Sequence, residues 1–237
     1  DAVAKAPADG YTLVMGQTSN VAINATLYAK LPYDPVKDLT PVALVATSPL
    51  VIVTGAGSPY KTLADVVKAA KEKPGSINYA TSGNGTVSHL AAESFQRAAG
   101  ITLTHIPYKG AAQGATDVVS GQVQLYLSTV PTLLGHIKSG KMRPIAVTSL
   151  QRVDDLKDVP TVSESGYKNF ESITWFGIFG PANLPKDIVA RLNADFNKAL
   201  KDPELDKKLG DQGADVATAT PEQFGKLVRD DIPRWGK

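Results

Sequence analysis

Three glycines, Gly100, Gly121 and Gly140, divide the middle of the sequence at nearly even intervals. Each follows an amphipathic stretch typical of a helix and precedes a short apolar run typical of a strand. Glycine readily adopts the left-handed backbone conformation that ends many helices. The repeated order of helix, glycine and strand therefore predicts an α/β fold, in which a mainly parallel sheet is flanked by helices.

The rest of the chain continues this alternation. Thr62 and Asp65 have the spacing of a capping box at the start of a helix. The apolar run 42–53 is predicted to form either a strand pair or one long bent strand. The polar stretch 151–170 is predicted to be a crossing segment. Helices are predicted at 58–73, 88–99, 185–200, 204–209 and 221–228, with two more ending at Gly121 and Gly140, and strands at 11–16, 76–81, 103–106, 123–127, 142–147 and 172–180.

Residues 1–6 resemble the last turns of a helix, which the sequence Pro-Ala-Asp-Gly at 7–10 closes before the first strand. A helix of this length is not stable alone in water, where about 12–15 residues are already marginal. We therefore expect sequence upstream of Asp1, and a signal peptide would not be visible in this chain.

The composition excludes several classes of protein. Cysteine is absent, which excludes disulfides, thiolate–zinc sites and cysteine nucleophiles. Lys and Arg number 25 against 23 Asp and Glu, and the two signs are intermixed, so no nucleic-acid partner is predicted. No run approaches the roughly 20 apolar residues that span a membrane. His89, His105 and His136 share no spacing typical of metal ligands, and no metal is predicted.

Ligands of open parallel sheets bind beyond the C-terminal ends of the strands. Most residues predicted at those ends are glycines or neutral hydrogen-bonding residues, without groups placed for acid–base catalysis or nucleophilic attack. We therefore predict a binding protein with no catalytic residues and no cofactor, although Lys109 could face either a carboxylate or solvent. The candidate ligand-binding residues are Gln17, Thr18, Asn20, Ser82, Gly83, Asn84, Gly85, Thr86, Ser88, His89, Tyr108, Lys109, Ser128, Thr129 and Thr148.

The 82–88 loop is the most informative of these segments. Gly83 and Gly85 allow a tight turn and a close approach of the backbone to a ligand, and a helix is predicted directly after them. The N-terminus of a helix offers N–H groups and the positive end of the helix dipole, which favour an anion. With the added hydroxyls of Ser82, Thr86 and Ser88, the expected ligand is a carboxylate.

Other interpretations of the same residues stay open. A strand-to-helix turn with a Ser or Thr cap explains the loop without a ligand. The Gly83 and Gly85 pattern approaches a dinucleotide fingerprint but lacks the third glycine and a suitable acidic residue. Ser88 and His89 are adjacent on a helix and point in different directions, and no Gly-x-Ser-x-Gly motif is present. The main alternative function is an enzyme on a related two-lobed scaffold that acts on a small carboxylate.

Several motifs occur in order along the whole chain: DGYTL at 9–13, LPYDP at 31–35, YATSGNGT at 79–86, SHL at 88–90, IPYKG at 106–110, SGK at 139–141, AVTS at 146–149, DVPT at 158–161, ESG at 164–166 and WFG at 175–177. As a set they resemble the extracytoplasmic solute receptors of the tripartite tricarboxylate transporter family, often called Bug receptors. This resemblance implies a two-lobed fold like that of type II periplasmic binding proteins. The first lobe would comprise 1–48 and 173–237, and the second 49–172.

The resemblance also implies a function. Such receptors are periplasmic, bind a small carboxylate (a di- or tricarboxylate or an aromatic acid) in a cleft between the lobes, and present it to the membrane permease subunits of a transporter. Family members begin with a strand, a loop that completes the carboxylate clamp, and a helix. That unit is expected upstream of Asp1, so the first lobe is predicted to be N-terminally truncated in this chain. The sequence does not define which carboxylate binds or the oligomeric state.

Overall fold

The computed structural model describes residues 1–235, which divide into two compact units. The first unit combines residues 1–47 with the chain from residue 174 onward, and the second comprises residues 48–173. The elements are β1 (Val14–Gln17), α1 (Asn24–Leu27), β2 (Leu39–Gly55), α2 (Leu63–Glu72), β3 (Asn78–Thr81), α3 (Val87–Ala99), β4 (Thr104–Pro107), α4 (Ala111–Val119), β5 (Leu125–Thr129), α5 (Val130–Lys138), β6 (Met142–Val147), β7 (Ile173–Pro181), α6 (Lys186–Ala199), α7 (Pro203–Gly210), β8 (Asp215–Val216) and α8 (Pro221–Trp235). The α/β fold class is confirmed.

The first unit is built on β1, β7, the first half of β2, and β8. Strand β1 pairs antiparallel with β7, from Val14 opposite Phe179 to Gln17 opposite Phe176. Strand β7 lies beside β2, and β8 pairs antiparallel with Ala46 and Thr47 of β2. An aromatic core of Trp175, Phe179 and Phe224 fills one side of this sheet.

The second unit contains a sheet in the order β6, β2, β5, β3, β4. Strand β3 is parallel to β4 and β5, whereas β2 is antiparallel to both β5 and β6. The sheet is therefore mixed, because β2 runs opposite to the strands on both sides of it. The other four strands share one direction, so their C-terminal ends lie along the same edge.

Helices cover both faces of the sheet in the second unit. On one face, Leu63 and Val66 of α2 pack with Phe95 of α3. On the other, Val118 of α4 packs with Val130 and Leu133 of α5. The five strands are thus enclosed between two helical layers, as the alternating sequence pattern predicts.

The apolar run at 42–53 forms one strand, since β2 extends without interruption over 17 residues from Leu39 to Gly55. The capping box is also confirmed: the Asp65 N–H donates to Thr62 Oγ1 at 3.2 Å, and the Thr62 N–H donates to Asp65 Oδ2 at 2.9 Å. Gly100 adopts the left-handed conformation with φ of 61°, and Gly121 and Gly140 also have positive φ. The predicted helix ends at these glycines are therefore correct.

Other predicted boundaries are wrong. Residues 1–6 contain only a 3-10 turn, Val3–Lys5, and residues 11–13 lie outside β1. Helix α2 begins at Leu63 rather than at residue 58, because Thr62 is its N-cap. Helix α8 continues beyond residue 228 to Trp235, with Pro233 within its last turn. No helix within residues 1–235 is long and apolar enough to cross a membrane.

Candidate functional site

The candidate residues of the second unit lie along the edge where β3, β4, β5 and β6 end. The loops after β3 and β4 are directly linked, since the Tyr108 N–H donates to Thr81 O at 3.1 Å. A Cβ added at Gly83 would lie 3.4 Å from the carbonyl oxygen of Tyr108. The structure therefore brings the segments at 82–88 and 108–110 together.

The 82–88 loop depends on its two glycines. Gly83 has φ of 136° and Gly85 has φ of 71°, conformations that side chains rarely adopt. The Thr81 hydroxyl accepts from the Gly83 N–H at 3.3 Å, and the Thr86 hydroxyl donates to Gly83 O at 2.9 Å. Two threonines thus fix the first glycine from both sides, which gives the loop a defined backbone.

Helix α3 begins directly after this loop, with Thr86 as its N-cap. The Thr86 hydroxyl accepts from the His89 N–H at 3.3 Å, and the Thr86 carbonyl accepts from the Leu90 N–H at 3.1 Å. Ser88 is buried in the first turn, at the positive end of the helix dipole. Ser82 and the exposed Asn84 complete the loop. This arrangement favours an anion at the edge of the sheet.

A stack of three rings supports the loop. The His89 ring lies 4.1 Å from the His105 ring at an interplanar angle of 11°, and the His105 ring lies 4.9 Å from that of Tyr79. The Gly85 N–H donates to His89 Nδ1 at 3.2 Å, and His105 Nε2 lies 2.6 Å from Thr81 Oγ1. His89 is therefore placed to hold the second glycine.

Both imidazoles of this stack are biased toward their neutral forms. Burial lowers the pKa of His89, against the opposing effect of Glu93. Burial and the neighbouring His89 together lower the pKa of His105 to about 4. The hydroxyl of Tyr79 donates to Glu93 Oε1 at 2.6 Å, and burial raises the pKa of this phenol. The sequence identified His89 as a ligand contact but gave no sign of the ring stack.

The other residues predicted at this edge differ in their hydrogen bonds and in their exposure to solvent. The Tyr108 hydroxyl donates to Asp117 Oδ2 at 2.6 Å, and burial with this hydrogen bond raises the pKa of Tyr108 to about 12. Lys109 is exposed to solvent. Ser128 is buried, and the Thr129 hydroxyl lies 2.8 Å from that of Thr132.

Thr148 has a structural role in this arrangement. Its side chain is 1% exposed, and its hydroxyl donates to Ser172 O at 2.5 Å and accepts from the Leu50 N–H at 2.8 Å. Both hydrogen bonds join this residue to backbone groups of the same unit. The geometry therefore supports ligand contact less for Thr148 than for the 82–88 loop.

The candidate residues of the first unit lie at the end of β1 and directly after it. The Gln17 N–H donates to Asn20 Oδ1 at 2.8 Å. Thr18 is fully buried, and its hydroxyl accepts from the Trp175 N–H at 3.0 Å, so it fixes the end of β1 against β7. Gln17 and Asn20 are only partly buried. Their contact with a ligand stays a prediction.

The described part of the chain holds no group of three or more His, Asp or Glu side chains that could bind a metal ion. All 237 residues match the family profile described as "Tripartite tricarboxylate transporter family receptor". The chain belongs to this receptor family. The resemblance inferred from the motifs is confirmed, and the receptor is 35% identical to protein BugT of Bordetella pertussis, in a match that covers 99% of the chain and 72% of BugT.

Solved structures with the same fold include two proteins with dicarboxylates. The receptor resembles Rpa4515 of R. palustris "with adipate", with a TM-score of 0.93 and 33% identity over 99% of this chain and 78% of that one. It also resembles MatC of Rhodopseudomonas palustris "with bound malate", with a TM-score of 0.89 and 30% identity over 99% and 81% of the two chains. The periplasmic binding protein BugD gives a TM-score of 0.88 and 33% identity over 99% and 79%. The periplasmic-binding-protein fold predicted from the sequence is confirmed.

Proposed function

We propose that this receptor binds a small carboxylate through the 82–88 loop, in the periplasm, and presents it to the membrane permease subunits of a tripartite transporter. The expected ligands are di- or tricarboxylates or aromatic acids. The observation that carries the proposal is the backbone of Gly83 and Gly85, held in left-handed conformations directly before the N-terminus of α3.

The chemistry of this loop suits a carboxylate. The Gly83 and Gly85 N–H groups and the Thr86 hydroxyl form hydrogen bonds that shape the loop. The hydroxyls of Ser82 and Ser88 are the candidate donors to a ligand, and the helix dipole adds positive potential. Relatives of the same fold hold adipate and malate, which are both dicarboxylates. A carboxylate group is the shared feature that the hydroxyls of this loop and the N-terminus of α3 can recognise.

The proposal can be tested by measuring the dissociation constants of adipate, malate and citrate by isothermal titration calorimetry, after a thermal-shift screen of a wider carboxylate panel. In the Gly85→Val variant, a β-branched residue would occupy a φ of 71° in a buried turn. We expect it to weaken carboxylate binding by more than tenfold.

Gly57→Val is the matched control, because Gly57 is exposed and a Cβ there would meet no atom within 4 Å. Its affinity should equal that of the wild type. Unchanged affinity in a folded Gly85→Val variant would contradict the proposed site. Absence of binding by the wild type across the panel would contradict the proposed function.

We further propose that the receptor does not transform its ligand. Apart from the exposed Lys109, the candidate residues along the sheet edge are glycines or carry hydroxyls or amides, and the histidines of the stack contact the loop and each other. Mass spectrometry of the tightest ligand after prolonged incubation should return it chemically intact. Conversion that a point mutation in the 82–88 loop abolishes would instead identify an enzyme.

A further inference from the structure

His89 contacts the 82–88 loop at one specific atom. Its Nδ1 accepts a hydrogen bond from the Gly85 N–H at 3.2 Å, so the lone pair of Nδ1 is directed at the backbone of the loop. A neutral imidazole with its proton on Nε2 satisfies this contact. Protonation of Nδ1 would place two N–H donors opposite each other and remove the hydrogen bond.

The surroundings of His89 keep its ring in place. The ring stacks on that of His105 at 4.1 Å, which in turn contacts the Thr81 hydroxyl that binds Gly83. The two histidines thus reach both glycines of the loop, Gly85 directly and Gly83 through Thr81. They lie behind the loop as its support.

We propose that His89 is a positioning residue, whose neutral ring holds Gly85 in the conformation that receives the carboxylate, and that protonation of the ring weakens carboxylate binding. This inference rests on the function proposed above and adds regulation by pH to the same site. The carboxylate affinity is expected to stay constant above neutral pH and to fall as the medium becomes acidic.

The titratable groups that contact the pair set the direction of this effect. Glu93 Oε1 lies 4.0 Å from His89 Nε2 and favours the protonated rings, whereas burial and the proximity of the two imidazoles oppose protonation. Tyr79, on the other side of His105, donates a hydrogen bond to Glu93 and stays neutral, because burial raises its pKa. Because the pKa of His89 is lowered, the ring is neutral at pH 7 and gains its proton below the ordinary imidazole value of about 6.5.

Three variants separate the roles of this histidine. His89→Asn places an amide oxygen near the position of Nδ1 and cannot titrate, so it should bind with an affinity that does not depend on His89 protonation. His89→Phe keeps a ring against His105 but removes the acceptor. It should bind about three- to tenfold more weakly than the wild type at pH 8, as expected for one lost hydrogen bond, and this difference should shrink as the wild type is protonated at acidic pH. His136→Asn, the same change at a histidine on α5, is the matched control.

The measurement is the dissociation constant of malate and of adipate by calorimetry between pH 8 and pH 5. We expect the wild type and His136→Asn to lose up to about three- to tenfold more affinity over this range than His89→Asn, which corresponds to the loss of one hydrogen bond on protonation. The residual change in His89→Asn reports the protonation of the ligand itself. Glu93→Gln should shift the midpoint to lower pH, because it removes the charge that favours protonation and keeps an acceptor for Tyr79. If the dissociation constants of His89→Asn changed with pH in the same way as those of the wild type, the proposal would be overturned. Tighter wild-type binding at low pH would also overturn it, because the imidazolium would then be contacting the carboxylate.

A second measurement needs no ligand. The exchange rate of the Gly85 amide hydrogen, measured by NMR at pH 7, should be at least about threefold faster in His89→Phe than in the wild type and should return toward the wild-type rate in His89→Asn. Equal rates in the wild type and His89→Phe would refute the positioning role. If the wild type bound neither dicarboxylate while the exchange rates followed this expectation, the proposed ligand class would fail and the contact of His89 with the loop would stand.

Discussion

Replacing Gly177 by alanine should severely destabilise the first unit. Gly177 lies in β7 opposite Gly16 of β1, and a Cβ at this position would lie 2.2 Å from Phe224 Cζ and 2.8 Å from the carbonyl oxygen of Ala43. Phe224 is fully buried, and its ring lies 4.9 Å from that of Phe179. The added methyl group therefore has no space on either side.

The size of the effect follows from these distances. An ordinary carbon–carbon contact begins at about 3.4 Å, so the Phe224 ring would have to move by about 1.2 Å, the difference between 3.4 and 2.2 Å. Overpacking of a core typically costs about 1–3 kcal/mol. Since the Ala43 carbonyl also blocks movement of the backbone, we expect a loss of at least about 3 kcal/mol from a free energy of unfolding of typically 5–15 kcal/mol.

Equilibrium unfolding in urea, followed by tryptophan fluorescence and far-UV circular dichroism, measures this loss. The matched control is Gly135→Ala in α5, where the residue is exposed and a Cβ meets no atom within 4 Å. That variant should gain about 0.5–1 kcal/mol, because alanine is the better helix former. Adding Phe224→Leu to Gly177→Ala should restore part of the lost stability. A Gly177→Ala variant within 1 kcal/mol of the wild type would refute the packing argument.

Three further predictions concern stability, each measured by urea unfolding. Thr62→Ala removes the hydroxyl of the capping box with Asp65 and should cost about 1 kcal/mol, whereas an unchanged midpoint would show that the cap is not needed. Thr148→Val leaves two backbone groups without their hydrogen-bond partner and should cost about 2 kcal/mol; a loss below about 0.5 kcal/mol would contradict this role. Trp175→Phe removes the indole N–H that donates to the buried Asp231 carboxylate at 2.9 Å, and should cost about 1.5–3 kcal/mol. A loss below about 0.5 kcal/mol would contradict the importance of this hydrogen bond.

Local features of the fold could be predicted from the sequence because their causes lie within a few residues. Gly100 ends α3 through its own backbone conformation, and the capping box of α2 involves two residues only three positions apart. The direction of β2 in the second unit could not be predicted in this way. It depends on pairing with β5 and β6, which lie far along the chain, and the strand-by-strand pattern carries no signal of orientation.

In the candidate site, too, local features could be predicted from the sequence and long-range contacts could not. The glycines and hydroxyls of the 82–88 loop are contiguous, so their place between a strand and a helix could be predicted. The role of His89 could not, because the ring on which it stacks comes from β4 and the acceptor role of Nδ1 depends on the fold of the loop. Thr148 was expected to contact the ligand from its position after a strand, but its hydroxyl is engaged by backbone groups at Leu50 and Ser172.

The pairing of β1 with β7 determines which part of the chain can fold first while the protein is being synthesised. Val14 pairs with Phe179, so the two residues are separated by 165 positions, the difference between 179 and 14. At about 5–20 residues per second, a ribosome needs roughly 10 to 30 s to supply the partner strand. The second unit is one continuous segment, 48–173, and the last strand of its sheet, β6, ends at Val147. The 26 residues from there to the start of β7 at Ile173, the difference between 173 and 147, take about 1 to 5 s to make, so this sheet can begin to form before the partner of β1 exists. We therefore expect the middle of the chain to fold first, while β1 and the apolar residues Val21 and Ala22, which pack with Trp175 and Phe179 of β7, stay exposed until β7 is made.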